Sequence, residues 1–370
     1  MKKSHASETQ KNIVVLHLGP DMSAQGGIAS VLSGYEANRA IFGSLGLDLR
    51  FAATCGLSGA LNRLRQFSSA WWKVVSGSLL RKLDIVHIHT APRGSLFRKW
   101  LLAMTCVGVR QRYVIHIHNS AVERYVEQLP APCYKAVSLM WKHAAQIICL
   151  SSDMKTWFER RCNCDADKLG IVHNGIVPPT LDYQASAPDN EPPVILFLGR
   201  LVEVKGVSVL LRAAEMLERR GLAFRLLFAG SGDLATFQTE VELRRLSHRV
   251  EYLGWVVGDE KARLLANADV FVLPSRYEGF PVAIVEAMAY GTSIVATNIP
   301  GIVDAVRHEH EALLVPPDDA EALCESLSAL INSPGLRARL ASAARQRFLD
   351  NFTVKQTSEQ LADAYRKAIE

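Results

Sequence analysis

No apolar run in the 370-residue chain approaches the ~20 residues that cross a bilayer. The longest, Trp100 to Val109, is far shorter. The start, MKKSHASETQKNIVVLHLG, has no long apolar stretch before a small-residue cleavage site, so a secretory signal is not expected. Cysteine is sparse: seven residues, scattered, with Cys162 and Cys164 one residue apart and no second pair to complete a zinc site. Reduced, mostly buried thiols in a cytoplasmic protein are the expectation. No essential metal and no cofactor is expected. With 49% hydrophobic, 21% charged and 8% aromatic residues, the composition is that of a globular protein. It excludes a disordered, collagenous or coiled-coil chain. The length exceeds one typical domain, which points to two.

Acidic residues are scarce in the first half. Residues 1–180 hold 22 Lys+Arg against 11 Asp+Glu, a balance of +11, and the remainder holds 20 against 26, a balance of −6. Within 50–112 eleven basic residues face a single acid, Asp84. This asymmetry points to an anionic surface or polyanion as partner of the first half. An uneven solvated surface is the alternative.

Twelve β-rich apolar runs recur with helical stretches between them. Six lie in the first half, at 12–19, 48–54, 84–90, 112–120, 146–151 and 169–175. Six lie in the second, at 194–200, 224–230, 249–255, 269–275, 292–297 and 311–317. Near-continuous Val, Ile and Leu without polar alternation suits strands buried on both faces of a parallel sheet. The spacing implies right-handed βαβ units in each half. Between the halves, VPPTLDYQASAPDNEPP (177–193) has five prolines and no apolar period, and reads as the linker. The expected organisation is a first domain over 1–176, a second over 194–352, and a helix over 353–370 packing back toward the first. Two doubly wound α/β domains facing across a cleft are the predicted fold, with ligands outside the carboxyl ends of the strands.

The segment PSRYEGFPVAIVEAMAYGTSIVAT (274–297) carries most of the chemistry. A buried strand ends at Leu273, a loop holds Glu278, Gly279 and Phe280, and Pro281 suits the first turn of a helix. That helix is apolar apart from Glu286, a carboxylate that needs donors: ribose hydroxyls, or a buried Arg or Lys. Amides at 279–282 would face an anion with the positive end of the helix. Arg200 and Lys205 follow the first strand of the second domain, where they would neutralise a diphosphate and stabilise it as a leaving group. In the first domain Gly26-Gly27 opens a helix after the first strand and permits backbone approach to a phosphate. It is not the dinucleotide fingerprint, because the third glycine and the acid after the second strand are missing. His87/His89 and His116/His118 are i, i+2 pairs on one strand face. A four-histidine metal site is one reading of them; satisfied core imidazoles at His87 and His116 are another. His118, followed by Asn119-Ser120, is the one placed to reach the cleft.

Together these residues resemble glycosyltransferase family 4, retaining enzymes of GT-B architecture. The resemblance runs through QGGIASV, HIHNS, HNG at 173–175, GRLVEVKG, AGSGDL, VEYLGWV, the segment 269–297 and EALLVPPDD. It implies a nucleotide sugar as donor, UDP- or GDP-linked, and transfer to an acceptor hydroxyl with retention. The family's paired glutamates fall on Glu278, which contacts the donor sugar, and Glu286, which contacts the ribose. Its phosphate-binding cations fall on Arg200 and Lys205, its glycine loop on Gly26 and Gly27, and its cleft histidine on His118. Amides around Gly279, Phe280 and Pro281 would hold sugar and phosphate. One departure is NIPGIVDAV after Thr297, where the family often shows Gly-Gly-x-Pro-Glu; Asp304 stands roughly where the glutamate would be.

The basic first domain fits this reading. Arg63, Arg65, Lys73, Arg81, Lys82, Arg98 and Lys99 interleave with Phe67, Trp71, Trp72, Phe97 and Trp100, as a monotopic contact with anionic lipid requires. A lipid-linked or oligosaccharide acceptor in cell-surface polysaccharide synthesis, met at the inner face of the plasma membrane, is the expected partner. Aromatics beside cations also stack on RNA bases, but no nucleic-acid module is visible and none is expected. A sugar-nucleotide epimerase of similar form and a non-catalytic nucleotide-sugar-binding scaffold are the remaining alternatives.

Overall fold

The computed structural model describes residues 12–24, 26–56, 59–92, 94–118, 121–179 and 192–370. Residues 180–191 of the expected linker, and Asn119-Ser120, lie outside the described residues. The chain forms two compact units. One comprises residues up to Leu150 with Met154–Val172 and Val354–Glu370; the other comprises Ser151–Asp153 and His173–Thr353.

All twelve apolar runs form strands. In the first unit these are β1 (Ile13–Gly19), β2 (Leu47–Ala53), β3 (Ile85–Thr90), β4 (Tyr113–Ile117), β5 (Gln146–Cys149) and β6 (Leu169–Ile171). They make one parallel sheet in the order β2-β1-β3-β4-β5-β6. The second unit holds β7 (Val194–Leu198), β8 (Arg225–Ala229), β9 (Val250–Gly254), β10 (Val270–Leu273), β11 (Ser293–Thr297) and β12 (Leu313–Val315). Their order is β12-β11-β10-β7-β8-β9, again parallel. The central strands β3, β4, β7, β10 and β11 are buried at every position, whereas the edge strands β2 and β9 are only part-buried. Helices on both faces of each sheet make that difference, and it is why the central runs read as unbroken apolar sequence.

The order in which strands are added reverses at one place in each sheet, between β1 and β3 and between β7 and β10. Both reversals carry the same device. Asp84, just before β3, accepts from the Val14 amide at 2.8 Å, and Asp269, just before β10, accepts from the Val194 amide at 2.8 Å. Each carboxylate thereby satisfies the first strand's amino end from the neighbouring strand. The polar chemistry sits at the opposite, carboxyl ends, beside these reversals, as ligand sites in such sheets do.

After β7 the chain makes a short turn at Glu203–Lys205 and enters the helix Val207–Arg219 through Gly206, at φ 69°. A Cβ there would lie 2.0 Å from the Pro274 carbonyl oxygen. Conformation and space both demand glycine. The helix Val354–Ile369 returns to the first unit and packs against β3, β4 and β5, with Tyr365 fully buried. No helix among the described residues is long and apolar enough to cross a membrane.

Two expectations need correction. Lys99 is not part of an exposed basic stripe: it is 2% exposed, and its ammonium donates to the Leu18 carbonyl and the Thr54 hydroxyl, both at 2.7 Å. Trp100 is half-buried, with its indole N–H on the Ala136 carbonyl. Helical spacing explains both, since Lys99 and Trp100 sit on the same buried side as Leu96, Leu102 and Ala103 of the helix Gly94–Gly108. The cysteines are all unpaired, three buried and four part-buried, which is less burial than expected. Gly206→Ala should lower the unfolding free energy by at least about 2 kcal/mol, read as a reduced urea midpoint; an unchanged midpoint would contradict the close approach.

Candidate active site

In the second unit the site residues gather where β7 and β10 end side by side. Arg200 is exposed two residues beyond β7 and makes no ion pair among the described residues. Lys205, in the turn that follows, places Nζ 2.5 Å from Glu278 Oε1. The Ser275 hydroxyl donates to the same carboxylate oxygen at 2.6 Å, and the Thr297 hydroxyl donates to the Ser275 carbonyl at 2.5 Å. Ser275 and Thr297 are fully buried, so β10 and β11 both anchor the loop that carries Glu278. Glu278 is thus held from below, while the Lys205 side chain stays about a quarter exposed.

Pro281 precedes the helix Val282–Tyr290 as its N-cap, one position earlier than the first-turn placement read from sequence. The helix buries Ile284, Val285, Ala287, Met288 and Ala289 and leaves Glu286 part-buried. Of the two donor types expected for Glu286, a lysine is present: Lys261, on the helix Gly258–Asn267, lies 2.5 Å from Glu286 Oε1. Sequence reading did not single out Lys261. A charged residue on the half-polar helix after VEYLGWV was its only signal. Phe280 is buried, its ring stacked on His173 at 4.6 Å and tilted against Phe352 at 5.5 Å. The Gly279–Pro281 backbone is therefore fixed by packing, and the first amides of the helix have no intrahelical acceptors, which makes them donors to an anion.

The departure segment NIPGIVDAV supports the same loop. Gly301, at φ 84°, brings its Cα against the Gly279 carbonyl so closely that a Cβ would sit 2.4 Å from that oxygen. Asp304 accepts from the Ser152 amide at 2.9 Å and from its hydroxyl at 2.8 Å.

In the first unit the exposed Gly26, at φ 147°, caps the helix Gly27–Ala37. Added Cβ atoms at Gly26 or Gly27 would meet nothing within 4 Å, so the approach above them is open. Only Gly26 is required by its backbone conformation.

Beside this loop lies a stack of five imidazoles. Register sets His17 on β1 opposite His87 on β3, and His89 opposite His116 on β4. With the i, i+2 rule all four share one face, and His118 extends the row beyond β4. Neighbouring ring centroids are 4.0 to 5.5 Å apart. His17 escaped the sequence reading because it stands alone in NIVVLHLG, yet its register was readable from β1 and β3. The expectation that His87 and His116 are satisfied fails in part. His87 Nδ1 bonds the Tyr365 hydroxyl, but His87 Nε2 and both nitrogens of His116 have no hydrogen-bond partner among the described residues. Burial holds all five in the neutral form: His17 and His118 are drawn down to about 3, the latter aided by the Lys99 charge. His87, His89 and His116 lie well below the usual histidine range for the same reason. Lys99 itself is lowered to about 7, mainly by burial.

These features, two doubly wound sheets with cations, carboxylates and helix amides at the strand ends, define a glycosyltransferase of GT-B architecture. The family model for group 1 glycosyl transferases matches residues 181–347, and that for glycosyltransferase family 4 matches residues 33–178. The chain belongs to glycosyltransferase family 4. The amylovoran biosynthesis glycosyltransferase AmsK of Erwinia amylovora is 29% identical over 69% of this chain and 60% of its own. An Escherichia coli UDP-Gal:α-D-GlcNAc-diphosphoundecaprenol α-1,3-galactosyltransferase is 26% identical over 77% and 75%. Among solved structures, Anabaena HepE in complex with UDP-glucose matches 95% of this chain and 99% of its own with a TM-score of 0.73 at 17% identity. The chain is a glycosyltransferase.

Histidines kept neutral in the folded state bind protons on unfolding, so the unfolded chain holds more protons below its ordinary histidine pKa. Stability should therefore be full above about pH 6.5 and fall as pH drops toward 3, by up to about 1.4 kcal/mol per pH unit for each such histidine. Urea midpoints measured from pH 8 to pH 5 check this. A flat profile would show that the imidazoles are not held neutral.

Proposed function

We propose that this glycosyltransferase takes its sugar from a nucleotide diphosphate donor, UDP- or GDP-linked, and passes it with retention to a hydroxyl of a lipid-linked saccharide in cell-surface polysaccharide synthesis. The observation that carries the reading is the pair of short ion pairs, Lys205–Glu278 and Lys261–Glu286, at the carboxyl ends of β7 and β10. Each holds a cation and a carboxylate ready to be separated by a ligand that offers both anionic and hydroxyl groups. A diphosphate competes for Lys205 and leaves Glu278 to accept from sugar hydroxyls. Ribose hydroxyls donate to Glu286 alongside Lys261.

The leaving group then draws on Arg200, Lys205 and the amides at the start of the helix Val282–Tyr290. Their charge is set in place before reaction, so stabilising the departing diphosphate costs no reorganisation. With departure and attack on the same face, a phosphate oxygen accepts the acceptor's proton, and no carboxylate nucleophile is needed. Positioning and electrostatics supply the catalysis. HepE's complex with UDP-glucose supports a UDP-linked donor, and the E. coli relative's diphosphoundecaprenol substrate supports a lipid diphosphate acceptor.

The helix Ala60–Leu79 suits an anionic lipid surface at the cytoplasmic side. Leu64 and Trp72 are each 62% exposed, and they alternate with exposed Arg63, Arg65 and Lys73. The Trp71 indole donates to Thr105 at 3.0 Å, so exposed Phe97 and Leu101 of the next helix belong to the same face. Each basic residue near such a surface contributes about 1 kcal/mol.

Thermal stabilisation by UDP against GDP and ADP identifies the donor base. Glu286→Ala should then weaken binding of that nucleotide by about tenfold or more in calorimetry, the equivalent of one charged hydrogen bond. Lys205→Ala should lower turnover about 10² to 10³-fold, and unchanged values would remove the assigned roles. In flotation at low salt, the protein should rise with anionic vesicles and stay behind with neutral ones. Equal partitioning would sink the membrane contact.

A further inference from the structure

Four of the five stacked imidazoles belong to one unbroken hydrogen-bond chain. His118 Nε2 lies 2.7 Å from His89 Nδ1, and His89 Nε2 lies 2.9 Å from His17 Nδ1. His17 Nε2 lies 3.3 Å from the Tyr365 hydroxyl, which lies 2.5 Å from His87 Nδ1. A neutral imidazole has one N–H and one bare nitrogen, so each link dictates the next. All four rings carry their proton on Nδ1, or all four carry it on Nε2. Any mixture sets lone pair against lone pair, or leaves a buried N–H or O–H without an acceptor.

The buried end of the chain selects between the two. His87 Nε2 has no partner among the described residues. In the Nε2–H arrangement it would be a buried N–H with no acceptor among the described residues, adding a second such group to the one His116 already carries. In the Nδ1–H arrangement it is a bare lone pair. The other groups facing the chain do not reverse this choice. Tyr35, from the helix Gly27–Ala37, meets His17 edge-on at 5.9 Å, and His116 stacks on His118 without a hydrogen bond. Lys99, from the helix Gly94–Gly108, adds positive charge near His118, which disfavours a second proton there. No carboxylate bonds any of these rings among the described residues.

We propose that the His87–Tyr365–His17–His89 chain fixes His118 in its Nδ1–H tautomer, so that the half-exposed end presents a hydrogen-bond donor, not a base, to an oxygen of the substrate. His17, His87, His89 and Tyr365 are positioning residues, acting only through His118. The assignment deepens the reading of His118 as an active-site group and rests on it. The triads His17–His87–His89 and His89–His116–His118 bring their nitrogens within 4.8 Å of one another, close enough for a metal ion, but the chain's own pairs are closer than a shared ion allows. Two nitrogens on one tetrahedral zinc lie about 3.3 Å apart, whereas the 2.7 and 2.9 Å separations are lengths for a shared proton.

Long-range proton–nitrogen NMR of the full chain with ¹⁵N-labelled histidine, without ligand at pH 7.5, reads each tautomer. His17, His87, His89 and His118 should all be neutral with the proton on Nδ1. Tyr365→Phe keeps the ring and removes the hydroxyl; His118 should then show an Nε2–H population, while His116, outside the chain, stays as it was. The kcat/KM of that variant should fall about tenfold, the kinetic equivalent of one hydrogen bond. If the variant does not fold, His87→Asn breaks the chain at its far end with the same expected change at His118. Mixed tautomers in the native protein, an unmoved His118 in the variant, or one equivalent of zinc per chain by elemental analysis would each overturn the proposal. If His118→Ala leaves turnover intact while the tautomer coupling stands, the active-site role is overturned and the coupling is not.

Discussion

A parallel sheet covered on both faces has nowhere to place polar chemistry except at its strand ends. That constraint organises both units. The amino ends at the reversals of strand order are closed by Asp84 and Asp269, each a carboxylate spent on one neighbouring backbone amide. The carboxyl ends are left to the functional groups. In the second unit these are charged and paired; in the first they are mostly neutral and chained.

The difference between the two units is physical. At β7 and β10 the side chains of Lys205 and Lys261 keep contact with water and lie 2.5 Å from Glu278 and Glu286. At β1, β3 and β4 the imidazoles are sealed under helices and give up their charge to burial. Lys99 is likewise drawn down by burial, to about 7, while its nitrogen stays bonded to a strand-end carbonyl and a threonine hydroxyl. It joins the ends of β1 and β2.

The fold was legible because burial on both faces writes itself as unbroken Val, Ile and Leu. All twelve runs became strands, with ends trimmed by a few residues where loops begin. Arg200, Lys205, Glu278 and Glu286 stood out as candidates because a charge after a buried strand or on an apolar helix has few structural excuses. Lys261 was not, since a lysine on an amphipathic helix looks like any solvated residue until the fold brings it to Glu286. His17 was hidden for the opposite reason: one histidine in an apolar strand reads as core, and only cross-strand register reveals its neighbours. Lys99 misled because counting charge along the sequence ignores which side of a helix each residue occupies. Gly301 and Asp304 sit in a segment that departs from the family's pattern, so their contacts to the Glu278 loop and to Ser152 could be read only from the coordinates.

The helix Val354–Ile369 belongs in space to the unit that the chain began, with the whole second unit made in between. Synthesis runs from the amino end, and domains ordinarily fold as they emerge. Here the first unit must wait: its core lacks Tyr365 until the whole second unit has been made. Until then His17 and His87 face an unfilled place on the sheet. The first half is therefore completed after the second, and a chain cut before Val354 carries a second unit that is whole beside a first that is not.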